Sequence, residues 1–367
     1  MKIKYLLCLV SLSIFSQNTS KFFKAPEGYL LLGSDLHTHT VFSDGMVWPS
    51  IRAQEALRES IEIIAITDHL EYQPKKKDIP NPDLNRSYII ARQSVNEKDL
   101  IILRGSEITR SMPPGHFNAI FIKDANKLLV EGDSLAGIIE ANKQDAFVFW
   151  NHPHWTSKKD GRMDGIAKLD PVHKELFSKN LVHGIEVANE DTYSEEAIEI
   201  ALKNNLTILG TSDIHGIVDW DFDIPDGGHR PLTFILTKDN SHSSIRDALF
   251  QGKTFVWFKD LLIGKIENIE PIINSNLKLK SNGYVGETTL LEVEIFNLSS
   301  APIDIEYLGE FTFHKNSKFL KIPPNSSINI QIKTISKLKN INLPLKILNV
   351  ITGIRKSLTL DFELKIY

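Results

Sequence analysis

Cysteine is almost absent from this chain. The only one, Cys8, lies in the first residues, so a disulfide framework and a thiol nucleophile are both excluded beyond it. Long apolar runs are missing too: nothing after the N-terminus approaches the roughly 20 residues that a spanning helix needs. Positive charge is not in excess. Lys and Arg number 42 against 46 Asp and Glu, a formal net charge of −4. That balance argues against non-specific nucleic-acid binding, which rests on neutralising phosphates with basic side chains. No repeat or low-complexity tract stands out. The Gly-x-x-x-x-Gly-Lys, Gly-x-Gly-x-x-Gly and Gly-x-Ser-x-Gly motifs are absent, which leaves nucleotide-dependent and serine-hydrolase chemistry without support.

What is present is an ordinary globular balance, 42% hydrophobic and 24% charged over 367 residues, enough for two domains. Lys2 and Lys4 precede an apolar run over 5–15, and Ser16-Gln17 offers a small-residue cleavage point. Residues 1–16 are therefore expected to be a secretory signal, and the protein a periplasmic or secreted bacterial one. Loss of Lys2 and Lys4 with that segment would leave a net charge of −6.

From about 30 to 260, apolar runs alternate with amphipathic stretches. Strands are predicted at 29–36, 61–67, 100–107, 117–122, 146–150, 184–188, 206–211 and 232–236, several of them continuous aliphatic runs suited to burial on both faces. Helices are predicted at 50–60, with Ile51, Ala53, Ala56 and Leu57 inward, and at 134–143 and 194–204 behind cap-type residues. This alternation predicts a parallel βα barrel over 17–264. From 265 to 367 the pattern changes to short strands of period two separated by Asn, Ser, Pro and Gly, which predicts a small β-sandwich.

The chemistry-bearing residues fall at the ends of the barrel strands. They are Asp35-Leu-His37-Thr-His39 followed by Asp44, then Asp68-His69, Glu107, His116 before the fourth strand, His152, and Asp213-Ile-His215. In a parallel barrel these ends share one face, where active sites are built; His116 alone would need its loop to fold back. Strand residues two apart point the same way, so His37 and His39 can aim at one point, as can Asp213 and His215. Imidazoles and carboxylates suit zinc, manganese or iron. Leaving Asp35 and Asp68 aside, nine such groups are too many for one tetrahedral ion and suggest two or three metals, which can clamp a phosphoryl group when about 3.5–4 Å apart. A lone His-x-His or Thr-Asp-His is usually structural. Seven of the 12 histidines at strand ends or in adjoining loops are hard to explain that way.

In order and residue type this series resembles the PHP (polymerase and histidinol phosphatase) superfamily over about residues 30–260. The resemblance implies an α/β fold, a distorted (β/α)7 PHP barrel ahead of the small all-β, sandwich-like C-terminal domain. It also implies three divalent metals (zinc, manganese or iron) and hydrolysis of phosphate esters by a metal-bridged hydroxide. Carried over, His37, His39, Glu107 and Asp213 would hold one metal; Glu107, His116 and His152 a second; and Asp44, His69 and His215 a third. Asp44 stands where some relatives have histidine. The stretches 41–49, 69–74 and 228–231 resemble the exported Sb-PDE-type phosphodiesterases, which implies a small anionic phosphodiester as substrate.

Around the site, Asp68 is expected to orient His69 or to cap the next helix. Glu186 and Asn189 should face the barrel mouth. Arg230 is the first choice for a phosphate clamp, with Lys75, Lys76, Lys77 and Arg86 as further basic groups. His229 and His154 are candidate general acids, and Tyr72 and Trp155 could stack on the ester group. The rival readings are a phosphomonoesterase, a metal-binding module without turnover, an exonuclease, and amidohydrolase-type chemistry at carbon. No lysine at a strand end offers the carbamylated ligand that the last would use.

Overall fold

The computed structural model describes residues 21–366 except 131, 132, 134 and 159. The expected signal segment, 1–16, and the cap residue Ser134 lie outside the described residues. The chain begins β1 (Leu30–Asp35), α1 (Pro49–Glu59), β2 (Ile63–Ile66), α2 (Arg86–Gln93), β3 (Ile101–Ile108), β4 (Phe117–Ile120). It continues α3 (Ala136–Lys143), β5 (Phe147–Trp150), α4 (Pro171–Ser178), β6 (Gly184–Asn189), β7 (Thr192–Tyr193), α5 (Glu195–Lys203), β8 (Thr207–Thr211). Next come α6 (Val218–Asp221), β9 (Leu232–Thr237), α7 (His242–Phe250), β10 (Thr254–Phe258), β11 (Leu261–Gly264) and α8 (Ile266–Asn276).

The barrel strands are buried almost throughout, as their unbroken aliphatic runs require. They run in the order β9-β1-β2-β3-β4-β5-β6, with β8 beside β6. β1, β2 and β3 are parallel, as are β5, β6 and β8. β4 is antiparallel to both neighbours, and β9 to β1. This corrects the all-parallel expectation and removes the difficulty with His116. A residue just before an antiparallel strand already stands on the face where the parallel strands end, so its loop need not fold back. Side chains bridge the seam between β8 and β9: Thr233 Oγ1 donates to Gly210 O at 2.8 Å and accepts from Gly210 N at 2.9 Å. Any Cβ at Gly210 would lie 2.2 Å from Val256, so only glycine lets β10 pack there.

α1 starts with Pro49 and stops at Ser60, whose φ of 63° is left-handed. Its buried side is Arg52, Ala53, Glu55 and Ala56, while Ile51 is 49% exposed. The expected inward Ile51 is therefore corrected: the helix is rotated to bury an ion pair. α5 and α7 are capped by Ser194 and Ser241, whose hydroxyls accept from Ala197 N and Ser244 N.

After α8 the chain is all strand: β12 (Leu277–Tyr284), β13 (Leu290–Asn297), β14 (Ile303–Tyr307), β15 (Thr312–Phe313), β16 (Phe319–Ile322), β17 (Ser326–Lys333), β18 (Asn340–Gly353) and β19 (Lys356–Lys365). Burial alternates strictly along β13, the signature of a strand with one wet face. β12-β13-β17-β15 form one sheet. The other, β16-β14-β18-β19, is not separate from the barrel, because β18 pairs in parallel with β11. Barrel residues Phe23, Phe234 and Phe255 share one apolar core with Leu291, Val293 and Ile330. The two units thus share a sheet and an interior.

Candidate metal centre

Five loops and strand β3 bring the candidate ligands together at the mouth of the barrel. Asp35, His37 and His39 leave β1, and the chain then turns sharply through Ser43-Asp44-Gly45. Gly45 lies on the backbone of His39, where a Cβ would be 2.6 Å from His39 C. That close approach brings Asp44 back towards the histidines: its Oδ1 is 3.2 Å from His215 Nε2 and 3.5 Å from His69 Nε2. His152 and Asp213, just beyond β5 and β8, both have left-handed backbone, with φ of 25° and 51°. Such conformations cost of order 1–3 kcal/mol and persist where the surroundings over-determine them.

Three ligand groups result, each with its donor atoms within 4.8 Å of one another: His37, His39 and Asp213; His69, Glu107 and His116; and His39, Asp44, His69 and His215. His39 and His69 each serve two groups. That differs from the expected partition, which gave each to one metal. His152 joins none of the three, although its Nε2 is 3.7 Å from both Glu107 Oε1 and Asp213 Oδ2.

The decisive feature is what these atoms lack. His37 Nε2, His39 Nε2, Asp44 Oδ1, Glu107 Oε2 and Asp213 Oδ1 are buried, and none has a hydrogen-bond partner among the described residues. His37 Nε2 is 3.1 Å and His39 Nε2 2.9 Å from Asp213 Oδ1, yet neither pair has the alignment of a hydrogen bond. An orphaned buried polar atom costs about 1–3 kcal/mol, and more when charged. Five pointing at common centres fit divalent cations between them.

The far side of each ligand is anchored. His37 Nδ1 is 2.8 Å from Glu186 Oε1, and Glu186 also accepts from His152 N at 2.7 Å, Thr211 Oγ1 at 2.7 Å and Asn189 Nδ2 at 3.0 Å. His69 Nδ1 is 2.6 Å from Thr109 Oγ1, and Asn151 Nδ2 donates to Glu107 Oε1 at 3.0 Å. Such partners fix ring orientation and tautomer. Asp68 fastens the turn after β1 by accepting from Thr40 N, Thr40 Oγ1 and Ser43 Oγ, each at 2.7 Å. It holds that backbone in place of the helix cap considered for it, and it has no place on the cavity wall.

Arg52 was missed by the sequence reading. It is fully buried, and its guanidinium donates to the carbonyls of His39, Ile214 and Gly216 at 3.0–3.3 Å and to Glu55 at 2.6 Å. One helix residue thus ties the loops carrying His39 and His215 together. The only available signal was a charged pair, Arg52 and Glu55, on a helix of otherwise apolar inward positions.

Without cations the centre holds protons instead. Burial works against the His37 imidazolium, but Asp213, Glu186 and Glu107 outweigh it and hold its pKa well above the usual histidine value. His215 is raised to about 9, against burial, by Asp44 and Asp213. His39 is lowered to about 4 by burial and by its neighbours His215 and His69. Burial would raise Glu107 and Asp213, yet the imidazoles keep both well below the carboxylate range.

Several expected substrate contacts are corrected. Arg230 is wholly buried. Its guanidinium binds Asp35 Oδ2 at 2.9 Å and both Glu59 oxygens, at 2.5 and 3.1 Å, so no phosphate can reach it. His229 stacks on Trp257 at 3.8 Å, and its nitrogens face the carbonyls of Arg230 and Lys259. It lines another cleft, bounded by Ser300 and Pro302 of the C-terminal unit, and is not among the residues around the ligand cavity. His154 is buried against Thr192, and Lys75 donates to Gly45 O. Lys76 and Lys77 are exposed, and neither they nor Arg86 line the cavity. Tyr72 and Trp155 do line it, together with Arg110, which the sequence reading overlooked because a single Arg in an aperiodic loop carries no pattern.

An Ig-like domain family matches residues 277–363. Over 82 residues the chain is 35% identical to an uncharacterized protein of Methanocaldococcus jannaschii, a match spanning 22% of this chain and only 34% of that one. PsfC from Pseudomonas syringae superposes at a TM-score of 0.43 with 14% identity, over 67% of this chain and 96% of its own; so distant a likeness carries no argument. A two-domain protein of Bacteroides vulgatus, containing a predicted PHP-like metal-dependent phosphoesterase, is 34% identical at a TM-score of 0.87. That match covers 95% of this chain and all of that one. Barrel, appended Ig-like unit and sequence agree across that full length, and the chain belongs to the PHP-like metal-dependent phosphoesterases.

Proposed function

We propose that the protein hydrolyses small phosphodiesters with three divalent metals held by His37, His39, Asp44, His69, Glu107, His116, His152, Asp213 and His215. The observation that carries this reading is the set of five buried, unpartnered ligand atoms converging at the barrel mouth. When bound, such metals generate a nucleophile from water near neutral pH and neutralise charge on phosphoryl oxygens. The chain's own residues orient the ligands: Glu186 sets the His37 ring, Thr109 the His69 ring, and Asp68 and Arg52 the backbone that presents them.

Charge supports a diester. Beyond the ligand carboxylates, the cavity wall carries Glu71, Asp160 and Glu190 against one guanidinium, Arg110. Away from the metals, that wall repels a second negative charge and so favours a monoanionic diester. Among the described residues no helix is long and apolar enough to cross a membrane, and the proposed substrate is a small molecule. Export belongs to the same reading and is supported by the apolar run behind Lys2 and Lys4; a protein that stays in the cytoplasmic fraction with those residues intact would reject it.

The test compares bis-p-nitrophenyl phosphate with p-nitrophenyl phosphate, with and without chelator. Chelator-sensitive turnover that favours the diester is expected. Preference for the monoester would move the protein to the phosphatases, and turnover of neither would leave a metal-binding module.

A further inference from the structure

The cavity above the ligands encloses about 560 Å³, within the range that accepts a drug-sized molecule. A phosphoryl group on the metals would fill only its floor. One side wall has a distinct make-up. Tyr72, on the loop after β2, and Trp155, on the loop after β5, are 52% and 37% exposed. Their rings are nevertheless not scattered surface apolars. Tyr72 stands 5.8 Å from the His69 ring, and Trp155 stands 5.5 Å from both His116 and His152. Two aromatic faces thus border the group His69–Glu107–His116 from separate loops.

Arg110 completes this wall and, among the described residues, is the only Lys or Arg lining the cavity. Glu71 holds it in place twice over, pairing with the guanidinium and accepting from Thr109 N at 2.8 Å. Ser111 Oγ donates to Asp160 Oδ1 at 2.7 Å and fixes the next residue. A tethered guanidinium beside two exposed rings recognises an anion that carries a flat substituent.

We infer that this wall is a subsite for a planar, aromatic ester group, with Tyr72 and Trp155 as its packing faces and Arg110 on a non-bridging phosphoryl oxygen. The inference rests on the phosphoesterase reading and names the substrate class for that same site.

Calorimetric binding of phenylphosphonate, cyclohexylphosphonate and methylphosphonate to the manganese-loaded protein tests it, because the three share one anionic head. Phenylphosphonate should bind about tenfold more tightly than methylphosphonate, and also more tightly than cyclohexylphosphonate, the increment that aromatic packing adds beyond area. Trp155→Ala and Tyr72→Ala should each bring the phenyl-to-methyl ratio towards one; Trp155→Leu serves if the alanine variant is unstable. Arg110→Gln should weaken all three by a similar factor. Equal binding of phenyl and methyl, or of phenyl and cyclohexyl, overturns the subsite while leaving the phosphoesterase reading intact. Failure of all three phosphonates to bind removes both.

Discussion

The barrel mouth and the Ig-like unit handle charge in opposite ways. Among the described residues from 277 onward, no Asp, Glu, Lys, Arg or His is buried; the interior is mostly Leu, Val and Ile, and the polar groups it does bury, such as Asn297, Ser299 and Asn349, are uncharged. The barrel buries Asp35, His37, His39, Arg52, Glu107, Asp213 and Arg230, among others. Desolvating such groups costs several kcal/mol each unless their partners repay it. Most of them are repaid: Arg230 by Asp35 and Glu59, Arg52 by Glu55 and three carbonyls. The ligand atoms facing the centre are not. A fold whose other half avoids buried charge altogether tolerates these orphans only where a bound cation satisfies them.

The largest effect that would break this contrast is expected at the ligands themselves. His37→Ala with His39→Ala removes two converging donors and should reduce phosphoester turnover at least about a thousandfold. It should also make the thermal midpoint less sensitive to chelator than that of the natural protein, which chelation should lower. A double variant that keeps full turnover, measured with bis-p-nitrophenyl phosphate, would detach the chemistry from these residues.

Arg52→Met comes next. It leaves Glu55 buried without its cation and takes the guanidinium from the carbonyls of His39, Ile214 and Gly216, and should cost about 3–5 kcal/mol in urea unfolding. A loss below about 1 kcal/mol would mean that the clamp on the His39 and His215 loops is dispensable.

The third effect concerns pH. In the metal-free protein His215 keeps its proton up to about 9, while a metal requires the free imidazole. Metal uptake at neutral pH should therefore release protons, and apparent affinity should rise with pH through the range in which His215 loses its proton, up to at least about 9. His39, at about 4, is already neutral and adds nothing near neutrality. Calorimetry in two buffers of different ionisation enthalpy counts the protons; zero release would contradict the electrostatic account.

The smallest effect belongs to the Ig-like unit. Lys318 pairs with Glu306 on its exposed surface, and Lys318→Ala should leave the thermal midpoint within about 1 °C, since such pairs are well solvated. A larger shift would show that the two regions differ less than their burial suggests.

Much of this was legible in the sequence. The eight strands predicted for the barrel recur within a few residues, because strands buried on both faces must be unbroken aliphatic runs. The ligand residues were readable because His, Asp and Glu at successive strand ends break that apolar pattern at regular places. Elements and partners fixed by distant parts of the chain were not. β10 and β11, split by Lys259-Asp260, went unread, and their places are set by pairing with each other, with β9 and with β18. α2, α4, α7 and α8 also went unread. Arg230, in a Gly-His-Arg-Pro loop, resembled an exposed anion clamp; its true partners lie 195 and 171 residues away, beyond any local pattern. Arg110 and Arg52 failed for the same reason, since each is defined by a neighbour on another loop.

The most direct test of the central claim is elemental analysis of the purified protein beside its His37→Ala/His39→Ala variant. The account predicts two or three divalent metals per chain in the natural protein and at least one fewer in the variant. Equal metal content in the two, or a natural protein that takes up no metal when supplied with zinc, manganese or iron, would contradict it.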